Sequence, residues 1–331
     1  MSQRKWEKMM KKLSKLVAVL GLSVVFGLSA CSNNNNETSE TAETTTASEV
    51  ALPTKDRGGE EIEIPEEVDK MVSLVPSVTQ VIDDLGRKDQ LVAVDTQSPA
   101  MTKDIDELPQ IDMMAVDAET LISLNPQVIY VSDISLHGSE NVWSQVKDAG
   151  ITVVNVPTSN TIEDIALDVQ FIADTLQEHE KGQELVDTMN KEIDEIKEIG
   201  ETITDKKKVL FEISALPEIY SFGKGVYLNE MIELVGAENV LADQESWIPV
   251  TEEAAIASKP DVILTNVNYL DDAVQEILDR GNWKDVPAVK NEAVFYIDNA
   301  ASSLPNHHMT KALKEMALAI YPDEYQSLEN E

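Results

Sequence analysis

The stretch from Thr161 to Glu201, TIEDIALDVQFIADTLQEHEKGQELVDTMNKEIDEIKEIGE, is almost unbroken helix former and contains no proline. In its second part Leu185, Met189, Ile193, Ile196 and Ile199 recur at steps of three and four, which places them on one face of a helix. From Glu178 to Ile199 the run is 22 residues, roughly 33 Å at 1.5 Å per residue. An ordinary globular helix has about 11–12 residues. A rod of this length divides what lies on either side of it, and both sides carry one repeated pattern. It therefore reads as a rigid spine between two lobes, with Thr161–Gln177 an ordinary first-lobe helix and Gly182 marking the boundary.

The first thirty residues stand apart from any fold. Arg4, Lys5, Lys8, Lys11, Lys12 and Lys15 form a basic segment, and the apolar run Leu16–Leu28 is short for a membrane span. Leu28-Ser29-Ala30-Cys31 follows, with small residues before the single cysteine of the chain. This resembles a bacterial lipoprotein signal, in which Cys31 becomes the lipid-bearing N-terminus. One acyl chain holds a protein only marginally at a membrane, so a diacylglyceryl anchor suits stable attachment. From Ser32 to Glu49 the sequence SNNNNETSETAETTTASE lacks aromatic and large aliphatic residues and is expected to be a disordered tether. The segments are thus a signal at 1–30, a tether at 31–49, a first lobe at 50–160, a helical connection at 161–201 and a second lobe at 202–331.

With the signal removed, 20 basic and 60 acidic residues remain, a formal charge of −40. That argues against nucleic acid as a partner and against adhesion to anionic lipid, leaving lipidation as the route to a membrane.

In the first lobe an alternating strand is expected at Glu61–Ile64, buried strands at Met71–Val75, Leu91–Val94, Gln127–Val131 and Ile151–Val154, and helices from Pro76-Ser77, from Asp117 and over Glu140–Ala149. Ser77 with Gln80 fits a capping box. After the spine the same grammar resumes: strands at Val209–Ile213, Ile219–Phe222, Asp261–Thr265 and Ala293–Ile297, and helices at Val226–Val235, Thr251–Ser258, Leu270–Asp279 and Asn306–Ile320. Strands alternating with helices imply an α/β fold: two doubly wound lobes with mainly parallel sheets, joined by one long spine helix. Two segments superpose by offset. Asp117-Ala-Glu119-Thr-Leu-Ile-Ser-Leu-Asn-Pro126-Gln-Val-Ile matches Thr251-Glu-Glu253-Ala-Ala-Ile-Ala-Ser-Lys-Pro260-Asp-Val-Ile, with cap, acid, proline and strand in register.

The stretches DRGGEEIEIPEEVDKMVSLVPSVTQVIDDLG, AVDAETLISLNPQVIYVSD, VLFEISALPEIYSFGKGVYLNEMIELVGAENVLA, WIPVTEEAAIASKPDVILTN and WKDVPAVKNEAVFYID resemble class III substrate-binding proteins of ABC importers, the group of iron-siderophore, haem and cobalamin binders. The resemblance runs from about Val50 to Tyr325. It implies a ligand cleft between the lobes, small opening motions, no enzymatic activity, no cofactor apart from the bound ligand, and a monomer that works with a permease dimer and its cytoplasmic ATPases. Similar proteins dock on the permease through one glutamate per lobe, which maps onto Glu119 and Glu253. A carboxylate in a first helical turn is also favoured by the helix dipole, by roughly 0.3–1 kcal/mol, so capping is the plain alternative reading.

A cleft at strand ends takes Pro76, Ser77, Asp95 and Gln97 from the first lobe, and Tyr220, Trp247, Asn268, Tyr269 and His307 from the second. Trp247, Tyr220 and Tyr269 are the foremost contact candidates, because an aromatic ring offers large area and a polar handle. Pro305-Asn306-His307-His308-Met309 departs from the proline-glycine-proline-arginine found there in many similar proteins. Its imidazoles and thioether are candidate ligands for a metal held in the cargo, with His137 facing them across the cleft; the alternative is a helix start with both histidines in its first turn. Beyond the signal there are three arginines, Arg57, Arg87 and Arg280. That shortage disfavours carboxylate-rich ligands and favours neutral hydroxamate chelates, a corrinoid or haem. The rival readings are free zinc or manganese binding, a surface enzyme, and an adhesin on the same fold. GxSxG, HExxH and P-loop signatures are absent from the sequence.

Overall fold

A computed structural model describes residues 51–330, with side chains to 328. The signal, Cys31 and the tether lie outside the described residues. The first lobe runs β1 (Met71–Ser73), α1 (Pro76–Asp84), β2 (Leu91–Asp95), α2 (Ser98–Met101), β3 (Gln110–Ile111), α3 (Ala118–Ser123), β4 (Val128–Val131), α4 (Asp133–Leu136), α5 (Glu140–Asp148) and β5 (Thr152–Asn155). Helices α6 (Ile162–Thr175) and α7 (His179–Gly200) follow. The second lobe runs β6 (Lys208–Glu212), β7 (Ile219–Phe222), α8 (Tyr227–Leu234), β8 (Glu238–Asn239), β9 (Trp247–Val250), α9 (Glu252–Ser258), β10 (Val262–Thr265), α10 (Ala273–Leu278), α11 (Pro287–Lys290), β11 (Val294–Tyr296), α12 (Asn299–Ser303) and α13 (Met309–Ile320).

The apolar runs became strands because both faces of each sheet are covered. The first sheet is parallel, in the order β3-β2-β1-β4-β5. Met71, Val94, Val128, Tyr130 and Val154 enter one core layer, and Val72, Ala93, Ile129, Val131 and Val153 enter the opposite one. The second parallel sheet, β11-β10-β6-β8, divides likewise: Val209, Phe211, Val262 and Leu264 face one way, Leu210 and Ile263 the other. Alternation within a continuous hydrophobic run is the mark of a strand buried on both sides. A two-stranded antiparallel ribbon, β7-β9, flanks the second sheet.

The spine forms as expected. Its first half gives Val186 to the first lobe's core, and its second half gives Met189, Ile193 and Ile196 to the second lobe's. The helix before it is not an ordinary first-lobe helix. Ile165 of α6 packs in the second lobe's core, whereas Val169, Phe171 and Ile172 pack in the first. Both helices therefore cross between lobes, as an antiparallel hairpin. The break lies at Gln177, which takes φ +58°, where the expected bounds Thr161–Gln177 and Glu178–Ile199 put it. Gly182 lies within α7, where a Cβ would collide with the Ala173 Cβ of α6.

Three further expectations are corrected. Glu61–Ile64 is no strand: Glu61 makes only an isolated bridge with Lys55. Ser77 is no cap, because Pro76 opens α1, Val75 is the N-cap and no side chain caps the helix. Gln80 instead donates to the Met101 carbonyl at 3.1 Å. The last helix begins at Met309, after the separate short helix α12, so His307 and His308 precede it. The two-residue strands β3 and β8, too short to show a period, and the β9 strand, interrupted by Pro249, were not anticipated.

Candidate ligand cleft and docking faces

In open α/β sheets, ligands bind beyond the carboxyl ends of the strands. At that end of the second sheet, β6 runs into Ser214, which bridges to Tyr220 at the start of the ribbon. In the ribbon Tyr220 lies opposite Pro249 and Phe222 opposite Trp247, so Tyr220 and Trp247 are diagonal neighbours on one face. Trp247 stands edge-on to the buried Phe222 ring, centroids 5.8 Å apart. The Tyr269 hydroxyl accepts the Ala215 N–H at 2.9 Å. Tyr220 and Tyr269 therefore meet at the Ser214–Ala215 turn, with Trp247 further along the ribbon, and the three are exposed by 40% (Tyr220), 39% (Trp247) and 63% (Tyr269). Asn268, beside Tyr269, is exposed as well. Next to this face Tyr220, Pro249 and the Leu216-Pro217 turn line a groove of about 880 Å³ that reaches Glu253.

The first lobe supplies less than expected. Asp95 is fully buried: its Oδ1 accepts the Gln97 and Ser98 N–H groups at 2.7 and 3.0 Å, and its Oδ2 takes the Ser98 hydroxyl. It is a turn-closing residue, fully buried and so out of reach of a ligand. Ser77 is buried too, and its carbonyl is taken by Asn306. Pro76 is half-buried and Gln97 exposed. Two apolar side chains that sequence reasoning missed stand at strand ends here: Met114, shortly after β3, and Ile134, directly after β4, exposed by 77% and 54%. An apolar residue exposed in a loop or in a single helical turn leaves no periodic signal, so these two could not be read from sequence.

The loop Pro305–Met309 turns toward α1. Asn306, buried, donates through Nδ2 to the Ser77 carbonyl at 3.2 Å and to Gln80 Oε1 at 2.8 Å, and its Oδ1 accepts the His308 N–H at 2.9 Å. His307 Nε2 and His308 Nε2 lie 3.0 and 2.6 Å from the same oxygen of Asp84, at the end of α1. Burial works to raise the Asp84 carboxyl, but hydrogen bonds from His307 and His308 outweigh it and hold the carboxyl well below the usual range. Met309 is fully buried in the second lobe's core, which removes it as a metal ligand. His137 is exposed at the end of α4 and stands outside the Asp84–His307–His308 group. Neither Asp84 nor the reach of Asn306 was legible, because nothing in sequence says which loop of one lobe meets which helix of the other.

All three arginines of the body are engaged internally. Arg57 pairs with Asp168 and Asp164. Arg87 donates to the carbonyls of Leu176 and Val68 and pairs with Glu178. Arg280 holds Glu212 and Glu276.

The two-lobe repeat is present in the backbone. Asp117 caps α3 through the Thr120 N–H, and Thr251 caps α9 through the Ala254 N–H. Asn125 and Lys259, at the same offset, both adopt positive φ, +51° and +49°. Gln127 and Asp261, again equivalent, accept the N–H of Lys70 and Lys208 just where the first strand of each lobe begins. Glu119 and Glu253 are thus structural equivalents, exposed in the first turn of corresponding helices. Among the described residues neither carboxylate enters an ion pair, and the caps are supplied by their neighbours.

The family profile described as periplasmic binding protein matches residues 71–301. The uncharacterised ABC transporter substrate-binding lipoprotein YvrC of Bacillus subtilis is 30% identical over 96% of this chain and 99% of its own length. The molybdate-binding protein MolA of Haemophilus influenzae is 27% identical over 66% of this chain and 67% of its own. The vitamin B12-binding protein of Vibrio parahaemolyticus is 25% identical over 76% and 89%. Among solved structures, a possible iron-binding, periplasmic solute-binding protein from Staphylococcus epidermidis superposes with a TM-score of 0.68 at 28% identity, covering 77% of this chain and all of that one. The chain belongs to the periplasmic binding protein family, as an ABC-transporter substrate-binding protein.

Proposed function

We propose that this protein captures a metal chelate, such as a corrinoid, haem or a ferric hydroxamate, between its lobes and passes it to an ABC permease, while anchored by lipid at Cys31 to the outer face of the membrane. The observation that carries the ligand class is the set of exposed rings Tyr220, Trp247 and Tyr269 at the strand ends of the second lobe, with Met114 and Ile134 exposed at strand ends of the first. Broad, largely apolar ligands with polar edges suit such a surface. With every arginine of the body spent on internal carboxylates, no guanidinium fork remains for a polyanionic chelate. The lipid anchor is supported by the lipoprotein relative, and among the described residues no helix is long and apolar enough to cross a membrane. Substrate-binding proteins of ABC transporters work with a cognate permease and ATPase, which is the partner set assigned here. The relatives are transport proteins, in keeping with a binding role rather than an enzymatic one.

Of the described tryptophans, Trp143 and Trp283 are buried and Trp247 is exposed, so fluorescence quenching reports on the proposed face. Titration with cobalamin, haem and ferric hydroxamates is expected to show saturable quenching at micromolar or tighter affinity for one of them. Trp247→Ala is expected to abolish the quenching and weaken binding at least tenfold. The MolA relative favours one competing reading, an oxyanion ligand; a calorimetric response to molybdate and to none of the chelates would establish it. Hydrolase activity with no binding of either class would sink both.

A further inference from the structure

Asp84, His307 and His308 have no part in this set of exposed rings, yet they join the two lobes. Asp84 closes α1 of the first lobe, and the histidines come from the loop that leads into α13 of the second. Their ligand atoms all lie within 4.8 Å of one another, and both Nε2 atoms are aimed at a single carboxylate oxygen. Backbone and packing set this aim. Asn306 ties the loop to α1 through Ser77 and Gln80, and its own Oδ1 fixes the His308 backbone. The two imidazoles lie 4.4 Å apart, centroid to centroid, tilted by 35°.

We propose that Asp84, His307 and His308 form a binding site for a divalent transition-metal ion that clamps the first lobe to the second. Two imidazoles and one carboxylate are a donor set suited to zinc and to nickel or copper. Ligand bonds of about 2.0–2.2 Å in a tetrahedron put donors roughly 3.3–3.5 Å apart. The present separations of 3.0 and 2.6 Å would open by roughly 0.3–0.9 Å to reach that geometry, within the reach of side-chain rotation, as the ion takes the place of the direct contacts. His308 and Asp84 keep side-chain exposures of 45% and 36%, which gives an ion its entry and a water the fourth position. The Nδ1 of His307 is buried without a hydrogen-bond partner among the described residues, so the ring's one polar contact is that of Nε2 with Asp84, which the ion would take over. The ion would be resident in the protein and separate from any metal in the transported chelate. This inference does not depend on which chelate is carried.

The probe is Zn²⁺ alone, titrated calorimetrically into the purified protein in the absence of any chelate. One Zn²⁺ per molecule at micromolar or tighter affinity is expected, with a rise in thermal midpoint. Asp84→Ala and His308→Ala should each weaken binding at least tenfold and remove the rise. His137→Ala and His179→Ala, which alter the other two histidines of the chain, should bind as the parent does. Co²⁺ gives a check that needs no variant: the intense visible bands of a tetrahedral site are expected in the unaltered protein. Zn²⁺ affinity unchanged in Asp84→Ala and His308→Ala, loss of binding in the His137 or His179 variant, or a Co²⁺ spectrum like that of the aqueous ion would overturn the proposal.

Discussion

Glu212 closes β6 with no exposure, and Arg280 meets its two oxygens at 2.8 Å each. The guanidinium also holds Glu276 and lies 4.8 Å from the Trp283 ring centroid, so it is sandwiched as well as paired. Burial pushes the Glu212 carboxyl above its ordinary value, with Arg280 pulling it back. A carboxyl whose folded pKa is raised contributes stability below its unfolded value and loses it as pH rises through the folded one. Arg280→Met removes the partner and leaves the carboxylate to be buried alone, a change that costs about 3–5 kcal/mol. Because the cost falls on the charged form, it should shrink as pH is lowered toward 4.5, the ordinary value for this carboxyl. Urea unfolding of the parent and Arg280→Met at pH 7 and pH 4.5 tests this: a difference that stays constant or grows toward acid would contradict the assignment. The same substitution should leave chelate binding intact, since Arg280 is spent inside the lobe.

The hairpin of α6 and α7 is the element on which the lobes depend, and its closest approach is at Gly182. Gly182→Val introduces atoms that collide with Ala173 and stand against Gln170. Overpacking of this kind costs typically about 1–3 kcal/mol, and here it would also push the two helices apart. A lowered thermal midpoint is the expected result; a variant as stable as the parent would mean that the helices have room to spare. The spine was legible because an apolar stripe repeating over about four turns has one reading. The buried strands were legible because runs such as VIYV and VILT fit nothing but the middle of a sheet. What failed was local and two-sided. Glu61–Ile64 alternates like a strand but makes only a single bridge. Asp95 is an exposed-looking loop acid whose oxygens turn inward to close the next turn. The crossing of α6 was hidden because a stripe says that a helix is buried, not in which of two cores each end lies.

At the scale of the molecule, two continuous helices cross between the lobes, and Asn306 ties the second lobe to α1 of the first. Two helices side by side resist bending far more than extended crossing strands, so wide closure and wide opening are both disfavoured. Release of a ligand then needs force applied from outside to both lobes together. Glu119 and Glu253 are the proposed points of application: equivalent positions, one per lobe, each exposed and without an ion-pair partner among the described residues. Exposed ion pairs contribute about 0–1 kcal/mol each, so their expected part is to set register and encounter rate with a basic permease surface rather than to supply affinity. Neither carboxylate supplies its helix cap, which Asp117 and Thr251 do, so charge reversal should leave folding and ligand binding as they are. Glu119→Arg and Glu253→Arg are therefore each expected to keep the parent's chelate affinity and thermal midpoint, while uptake in cells falls at least tenfold and association with the permease in membranes slows, most strongly at low salt. Uptake equal to that of the parent in both variants would show that these faces do not engage the permease and that the lobes are parted in some other way.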